Sequence, residues 1–416
     1  MGDWTISASG LQPVSARAYA ARLAPATVTR PSRRTFLVTG SSQAGVAALA
    51  QVALENGHQA VLPPSGVPRD VLLLPVGAAV NVGHIRADIR PVSGEDVRNG
   101  WDLALFTSGS STGRPRGHGF TAAQLSKVTA WYKAIYQATA DSVIVTALPA
   151  AYNFTFIAGA LLAAGLGARL HLTGQSGEVL TDAMRLARRA DRVIVLANPI
   201  ILDRLTPAGG LPANVLIDSG GAPLSTTAIT DYRAHGIDVR EGYGLTETAS
   251  LTHFDTQGSD IALGTVGTAM PGVTTALAHT GQPVIRVTSP AVSIPLDPAE
   301  ASSGATVHTT DLGKVDDQGR LRILGRVDDH PIHGLWPHDT LDALGPLLGR
   351  RCAMVRHPAP DQVTVRTLTP LSAKSAHSIK DRAADLLGLP LEHVTITDQG
   401  RTPLLHSAKL TRAHAS

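Results

Sequence analysis

Residues 105–117 read LFTSGSSTGRPRG. An apolar stretch ending at Phe106 gives way to a run of small hydroxyl residues and glycines. Gly109, Gly113 and Gly117 let the backbone approach an oxyanion closely. Thr107, Ser108, Ser110, Ser111 and Thr112 offer hydroxyl donors, and Arg114 and Arg116 bring positive charge. That combination is what a polyphosphate needs. Read alone, the same stretch also fits a flexible Ser/Gly surface loop.

The surrounding sequence places this loop in an α/β frame. Upstream, TFLVTG (35–40) reads as a strand, QAGVAALAQVALENG (43–57) as a helix, and QAVLPP (59–64) and DVLLLP (70–75) as short apolar segments. Downstream, VIVTALP (143–149), ARLHLT (168–173), DRVIVLA (191–197), NVLIDSGG (214–221) and IDVREGYG (237–244) each read as a strand running into a turn. Strands alternating with helices imply a mainly parallel sheet. Beyond about residue 260, GTVGTAMPGV, PVIRVTS and RLRILG suggest a small antiparallel β subdomain. Asp328-Asp329-His330-Pro331 breaks that pattern. RCAMVR, QVTVRTL and SIKDRAADLLG then read as a small α+β domain ending in a loose basic tail. The expected organisation is a large part over 1–325, made of stacked α/β subdomains plus a small β subdomain, and a small mobile α+β domain over 327–416. GSSQAG (40–45) lacks the Lys-Ser/Thr of a P-loop and the glycine spacing of a dinucleotide fingerprint, so it reads as a plain strand–turn–helix connection.

Composition narrows the functional classes. Apolar residues make up 43% and charged residues 17%, which excludes a disordered chain. Cys352 is the single cysteine, which excludes a disulfide scaffold and suits a reducing compartment. The net charge is only +3 and aromatics are 4%, so no basic, aromatic-interleaved nucleic-acid surface is predicted. MGDWTISASG has no basic region followed by an apolar core, and the apolar run FTFIAGALLAAGLGA is too short for a membrane span. A cytoplasmic protein without a membrane span is expected. His330, His333 and His338 cluster in sequence, but no Cys/His pair has zinc-ligand spacing.

Several segments, in a fixed order, resemble the adenylate-forming superfamily of acyl- and aryl-CoA synthetases, adenylation domains of nonribosomal peptide synthetases, and luciferase. Thr107–Gly117 resembles its phosphate loop, TSGSTGxPKG, with one extra Ser and with Arg116 where Lys is usual. Asp218-Ser-Gly220-Gly221-Ala222-Pro-Leu224 resembles the segment that lies against the adenine. Gly242-Tyr243-Gly244-Leu-Thr246-Glu247 resembles the signature YGxTE. Gly264–Gly272 resembles the stretch that follows. Thr309-Thr-Asp311 resembles TGD, Gly325-Arg326-Val-Asp328-Asp329 resembles GRxDD, and residues 402–412 resemble the terminal segment ending NGKxxR.

The resemblance implies roles. Tyr243 packs near the adenine, Thr246 contacts phosphate and Glu247 helps hold Mg²⁺. Asp311 takes the ribose hydroxyls, Arg326 binds ribose or phosphate, and Asp328 is the hinge. Lys409 bridges the carboxylate and the α-phosphate. The implied reaction joins a carboxylic acid to ATP as acyl-AMP with release of pyrophosphate, then transfers the acyl group to coenzyme A or to the phosphopantetheine of an acyl carrier protein. Charge build-up where two anions meet explains why Mg²⁺ and a lysine are needed. The chain departs from the family at Thr310 and Ala408, each replacing Gly, and in His330-Pro-Ile-His-Gly334, which lacks the usual Lys. The region before the phosphate loop is shorter than in typical relatives. Asn153, Phe154, Phe156, Gly221, Gly242 and Gly267 are the expected acid-pocket residues. They are small, apolar or neutral, and no Asp stands out to clamp an amino group, so an aryl or short acyl acid is favoured over an amino acid. Alternatives are a nucleotide-binding scaffold without turnover and an adenylating enzyme with a non-thiol acceptor.

Overall fold

The computed structural model describes residues 5–8, 14–15, 35–40, 43–63, 87–92, 100–107, 115–173, 176–203, 210–258, 262–278, 281–297, 304–368 and 370–398. Two large sheets form the bulk of the protein. One has six strands, in the order Ile294–Pro295, Gly117–Phe120, Leu103–Phe106, Gln59–Leu62, Thr35–Gly40, Ala87–Val92. The other has nine. Its centre is a parallel array in the order Asp238–Tyr243, Val215–Ser219, Val193–Ala197, Val143–Thr146, Arg169–Leu172, Thr5–Ala8. The segments VIVT, VIVLA and VLIDS are buried at every position. Such strands read as continuous apolar runs because a parallel sheet is covered on both faces.

Helices cover the sheets. Gln43–Glu55 is buried at every position from Gly45 to Gln51 and again at Ala53, so its alanine-rich middle is enclosed on all sides. Ala122–Tyr136 starts at Thr121, whose hydroxyl accepts from the Gln124 N–H while the Gln124 side chain returns a bond to the Thr121 N–H. This reciprocal cap satisfies two otherwise orphaned donors. After the strand Val143–Thr146 the chain forms a π-helical stretch, Thr155–Leu161, that continues as the α-helix Leu162–Leu166. The wide turn accommodates the bulky Phe156 and Ile157, both fully buried.

A four-stranded antiparallel sheet follows, built from Thr274–Leu277, Val284–Thr288, Thr306–Val315 and Leu321–Arg326. The expected β subdomain differs in one respect. Thr268–Ala269, within GTVGTAMPGV, pairs with His253–Phe254 at the edge of the nine-stranded sheet. Residues after Arg326 form a compact α+β unit. Ala353–Ala359 and Gln362–Thr367 are antiparallel, Val394–Asp398 adds in parallel, and the helices Pro337–Leu348 and Ala373–Leu387 pack against them. Leu341, Leu344, Leu348, Val355, Val365, Ile379 and Leu387 form its own core. Together these elements make a large N-terminal part and a small C-terminal domain. DVLLLP and the tail beyond 398 lie outside the described residues. No helix among the described residues is long and apolar enough to cross a membrane.

Candidate functional site

In open parallel sheets ligands settle beyond the carboxyl ends of the strands. Here those ends carry the predicted residues. Val215–Ser219 runs into Gly220-Gly221, with Gly221 at φ +86°. Asp238–Tyr243 runs into Gly244, where a Cβ would stand 2.0 Å from the Ser250 carbonyl oxygen. Only glycine lets that turn close. The turn delivers Thr246 and Glu247 on a short 3₁₀ segment, Thr246–Thr248.

A cavity of about 180 Å³ opens over these ends. Thr246 and the half-buried Glu247 line it from one side, and Thr107 and Arg116 from another. Asn153 and Phe154 line it with Gly220 and Gly221. Asn153 Nδ2 lies 3.4 Å from Thr246 Oγ1, and Asn153 Oδ1 accepts from the Phe154 N–H at 2.8 Å. Thr107 and Arg116 close the neck of the Ser/Gly loop: the Thr107 N–H donates to the Arg116 carbonyl, and the Arg116 N–H donates to Thr107 Oγ1, both at 2.9 Å. Ser108, Ser110, Ser111, Thr112, Gly109 and Gly113 lie outside the described residues, as does Lys409.

A second cavity, of about 230 Å³, lies between the large part and the small domain. Gly221, Gly242, Gly244 and Arg326 border both cavities. Tyr243, Ala222 and Asp311 border this one. The Tyr243 hydroxyl donates to Asp311 Oδ2 at 2.8 Å, and Arg326 Nη1 lies 3.0 Å from Asp311 Oδ1. Burial, reinforced by the Asp311 charge, holds the Tyr243 phenol well above its ordinary range, so it stays a donor. Arg326 Nε is buried and has no described partner. Burial likewise pushes Glu241, which accepts from the Leu224 N–H at 3.0 Å, up to about 8.

The chain leaves the large part at Arg326. Asp328 is exposed and pairs with Arg356 Nη2 at 2.8 Å, while the buried Asp329 accepts from Arg356 Nε at 2.5 Å and from the Arg326 N–H at 2.8 Å. Arg322 Nη2 reaches both Asp339 and Asp342 at 2.9 Å, and Asp342 also accepts from the Thr226 N–H at 2.7 Å. These bonds tie the small domain to the large part.

Two expected pocket residues sit elsewhere. Gly267 borders neither cavity: with φ +74° its missing Cβ would stand 1.9 Å from the Phe254 carbonyl oxygen, so close strand packing explains the glycine. Phe156 is fully buried in the core. One cavity residue is not singled out by the sequence. Asp218 is 1% exposed and lines the smaller cavity, against the expectation that no Asp stands out there. Its signal is a carboxylate directly after the apolar run Val215–Ile217. The buried His118, whose Nδ1 lies 2.9 Å from Ser293 Oγ, borders neither cavity. A Ser7–His171–Asp182 chain, with both His171 contacts at 2.7 Å, lies apart from either cavity.

Comparisons with known proteins agree with this architecture. The solved structure of O-succinylbenzoate coenzyme A synthetase from Bacillus subtilis, in complex with AMP, superposes with a TM-score of 0.70 at 17% identity, covering 100% of this chain and 95% of that one. The anthranilate CoA ligase AuaEII, in complex with anthranoyl-AMP, superposes at 0.74 with 16% identity, covering 98% and 92%. In sequence, the long-chain-fatty-acid–CoA ligase FadD15 of Mycobacterium bovis is 38% identical over 111 residues, 26% of this chain and 18% of that protein. A long-chain-fatty-acid–CoA ligase of Escherichia coli is 26% identical over 251 residues, 55% of this chain and 45% of that protein. The chain thus matches less than half the length of these two relatives. The family model described as "AMP-binding enzyme" matches residues 32–289, well over half of the sequence. With its Thr246–Glu247 turn and its Tyr243–Asp311–Arg326 cluster at the strand ends, the chain belongs to the AMP-binding enzyme family.

Proposed function

We propose that the protein activates a small carboxylic acid with ATP and passes the acyl group to a thiol, that of coenzyme A or of a carrier-protein phosphopantetheine. The observation that carries this reading is the Tyr243–Asp311–Arg326 cluster, set beside a cavity whose other wall holds Thr246, Glu247 and Arg116. The residues fit a magnesium nucleotide. Arg326 Nε is a buried donor awaiting an acceptor, Asp311 keeps lone pairs for two vicinal hydroxyls, and Glu247 supplies a hard oxygen ligand. No group of three His, Cys, Asp or Glu able to hold a metal occurs among the described residues, which suits an ion held by one carboxylate and substrate phosphates. Bound Mg²⁺ would offset charge on the phosphoryl oxygens.

In the first step a carboxylate oxygen of the acid bonds to the α-phosphorus of ATP, and the bond to the bridging oxygen breaks, releasing pyrophosphate. Asp311 and Arg326 hold the ribose, and Thr246, Arg116 and the hydroxyls of 107–112 hold phosphate. Lys409 offsets the charge where the two anions meet. In the second step a thiolate attacks the acyl carbon and AMP leaves. Turning about Asp328 would present different faces of the small domain in the two steps. The smaller cavity is on the scale of the ~150 Å³ cavity that holds benzene, which favours an aryl or short acyl acid over a long chain.

The test is acid-dependent exchange of pyrophosphate into ATP, across aryl, short acyl, long acyl and amino acids. Exchange with one class, lost in Lys409→Ala, is expected. ATP binding that is equal in wild type and Lys409→Ala, with no exchange from any acid, would replace this reading with a nucleotide-binding scaffold.

A further inference from the structure

One buried carboxyl bears on which acid the protein takes, an inference that rests on the proposed function. Asp218 is the penultimate residue of the fully buried strand Val215–Ser219 and lines the smaller cavity together with Phe154, Tyr132 and Gly242. Its Oδ2 accepts from the Tyr136 hydroxyl at 2.5 Å. Its Oδ1 is buried and has no described partner. A Cβ built on Gly242 would stand 3.5 Å from Oδ1, so this oxygen is turned towards the glycine that borders the cavity. The Phe154 ring stands 3.5 Å from the Cβ position of Gly220 and walls the same space.

A buried acceptor without a donor costs free energy, and the cost is recovered when a donor arrives. Burial pushes the Asp218 carboxyl up to about 7, and the Tyr136 bond restrains that rise. A donor at Oδ1 would restrain it further, because it favours the ionised form. The lining shared with Asp218 includes the rings of Tyr132, Tyr152 and Phe154 and the backbone of Gly220, Gly221 and Gly242, while Thr107, Arg116, Thr246 and Glu247 line the part given above to phosphate.

We propose that Asp218 is the specificity-determining residue of the acid pocket: its Oδ1 accepts a hydrogen bond from a hydroxyl or amino group on the acid, so the substrate is a small, donor-bearing carboxylic acid rather than a plain hydrocarbon one. Tyr136 is a positioning residue, occupying Oδ2 so that Oδ1 turns to the cavity.

The experiment compares paired acids in the pyrophosphate-exchange reaction of the full chain. Benzoate is set against its three hydroxy and three amino isomers, and short alkanoates against their hydroxy derivatives. Wild type, Asp218→Asn and Tyr136→Phe are measured, with thermal melting and AMP calorimetry confirming the fold. In wild type, kcat/KM for the best donor-bearing isomer should exceed that of its parent by roughly 10- to 100-fold, the range of a hydrogen bond to a charged group. In Asp218→Asn the Tyr136 hydroxyl can keep the amide oxygen, leaving NH₂ towards the cavity, so the ratio should collapse towards one. Tyr136→Phe should lower the ratio less. Equal kcat/KM within every pair in wild type, or a ratio unchanged in Asp218→Asn, would make Asp218 a structural partner of Tyr136 and overturn the inference while adenylation stands. Exchange with no acid at all would overturn the proposed function and this inference with it. Should Asp218→Asn not fold, the wild-type ratio and its response to Tyr136→Phe decide: a ratio near one, or one that Tyr136→Phe leaves untouched, rejects the assignment.

Discussion

The Tyr243 hydroxyl donates to Oδ2 of Asp311, 68 residues later in the chain, across 2.8 Å. Tyr243 closes a strand of the nine-stranded sheet, and Asp311 lies within a strand of the antiparallel sheet. The bond therefore joins the two sheets beside the larger cavity, which both residues line. It also leaves Asp311 with one oxygen on a neutral donor and the other on Arg326. Tyr243→Phe removes the neutral donor alone. AMP affinity by calorimetry should fall several-fold, matching the roughly 1 kcal/mol net value of such a bond. Asp311→Ala strands the Arg326 guanidinium and should weaken AMP binding far more. Equal losses in both variants would show that Asp311 acts only through Tyr243.

Stability should depend on pH through Glu241. Burial raises its carboxyl to about 8, from an ordinary value of 4.5. Between those values the folded protein binds the proton and the unfolded chain does not. The contribution is full below about pH 4.5 and is lost as pH rises through 8. Glu241→Gln keeps an acceptor for the Leu224 N–H and removes the titration. Its stability relative to wild type should rise between pH 5 and pH 8 by something on the order of 2–4 kcal/mol. Denaturant titrations at both pH values check this, and parallel curves for the two proteins would refute it.

His253 should act in the opposite direction. Burial lowers it from 6.5 to about 4, and the neutral ring bonds Thr252 Oγ1 at 3.0 Å and Thr275 Oγ1 at 2.9 Å. Its contribution is present above pH 6.5 and is lost as pH falls towards 4. In His253→Gln the acid limb of the stability profile should flatten. A limb of unchanged slope would assign the acid sensitivity to other groups.

The Ser7–His171–Asp182 chain has the composition of a hydrolytic triad and is wholly buried. It joins the strand Thr5–Ala8 to Arg169–Leu172 and to the helix Val179–Ala187. His171→Ala removes the bonds to the Ser7 hydroxyl and to Asp182 Oδ2, while Asp182 Oδ1 keeps Arg185, and should cost about 2–4 kcal/mol of stability. Exchange activity per folded molecule should stay near wild type. A large loss of kcat at unchanged stability would contradict a structural role.

Asp342 accepts from both the Thr226 N–H and Arg322 across the domain junction. Asp342→Ala should loosen the helix Pro337–Leu348. Amide hydrogen exchange there should accelerate, while the core of the nine-stranded sheet keeps its protection. Unchanged exchange in that helix would place the grip on Arg350 and Asp231 instead.

Much of this was legible in sequence because parallel strands buried on both faces must be continuous apolar runs. VIVTA, VIVLA and VLID announce themselves that way, and Gly220 and Gly221, which follow VLIDS, border the smaller cavity. Thr246, Glu247, Asp311 and Arg326 were identified by motif, and the structure places them at the two adjoining cavities. The helix Pro337–Leu348 was not legible. Its sequence contains Pro346 and Gly345, and tertiary contacts support it: Asp339 caps the Trp336 N–H at 3.0 Å and pairs with Arg322. Gly345 is needed there because a Cβ would stand 2.5 Å from Thr227 Oγ1.

The chain by itself determined the family, the positions of its main strands along the sequence and the residue types at their ends, because those follow from local patterning and short motifs. The tertiary structure decided which way each polar group faces. Asp218 is a carboxylate in any reading of the sequence. It becomes a half-satisfied wall of a cavity only because Tyr136, 82 residues away, takes one oxygen and Gly242 leaves room beside the other. Hydrogen bonds are short-ranged and directional, so pairings across such separations arise only when the sheets and helices that carry them have packed.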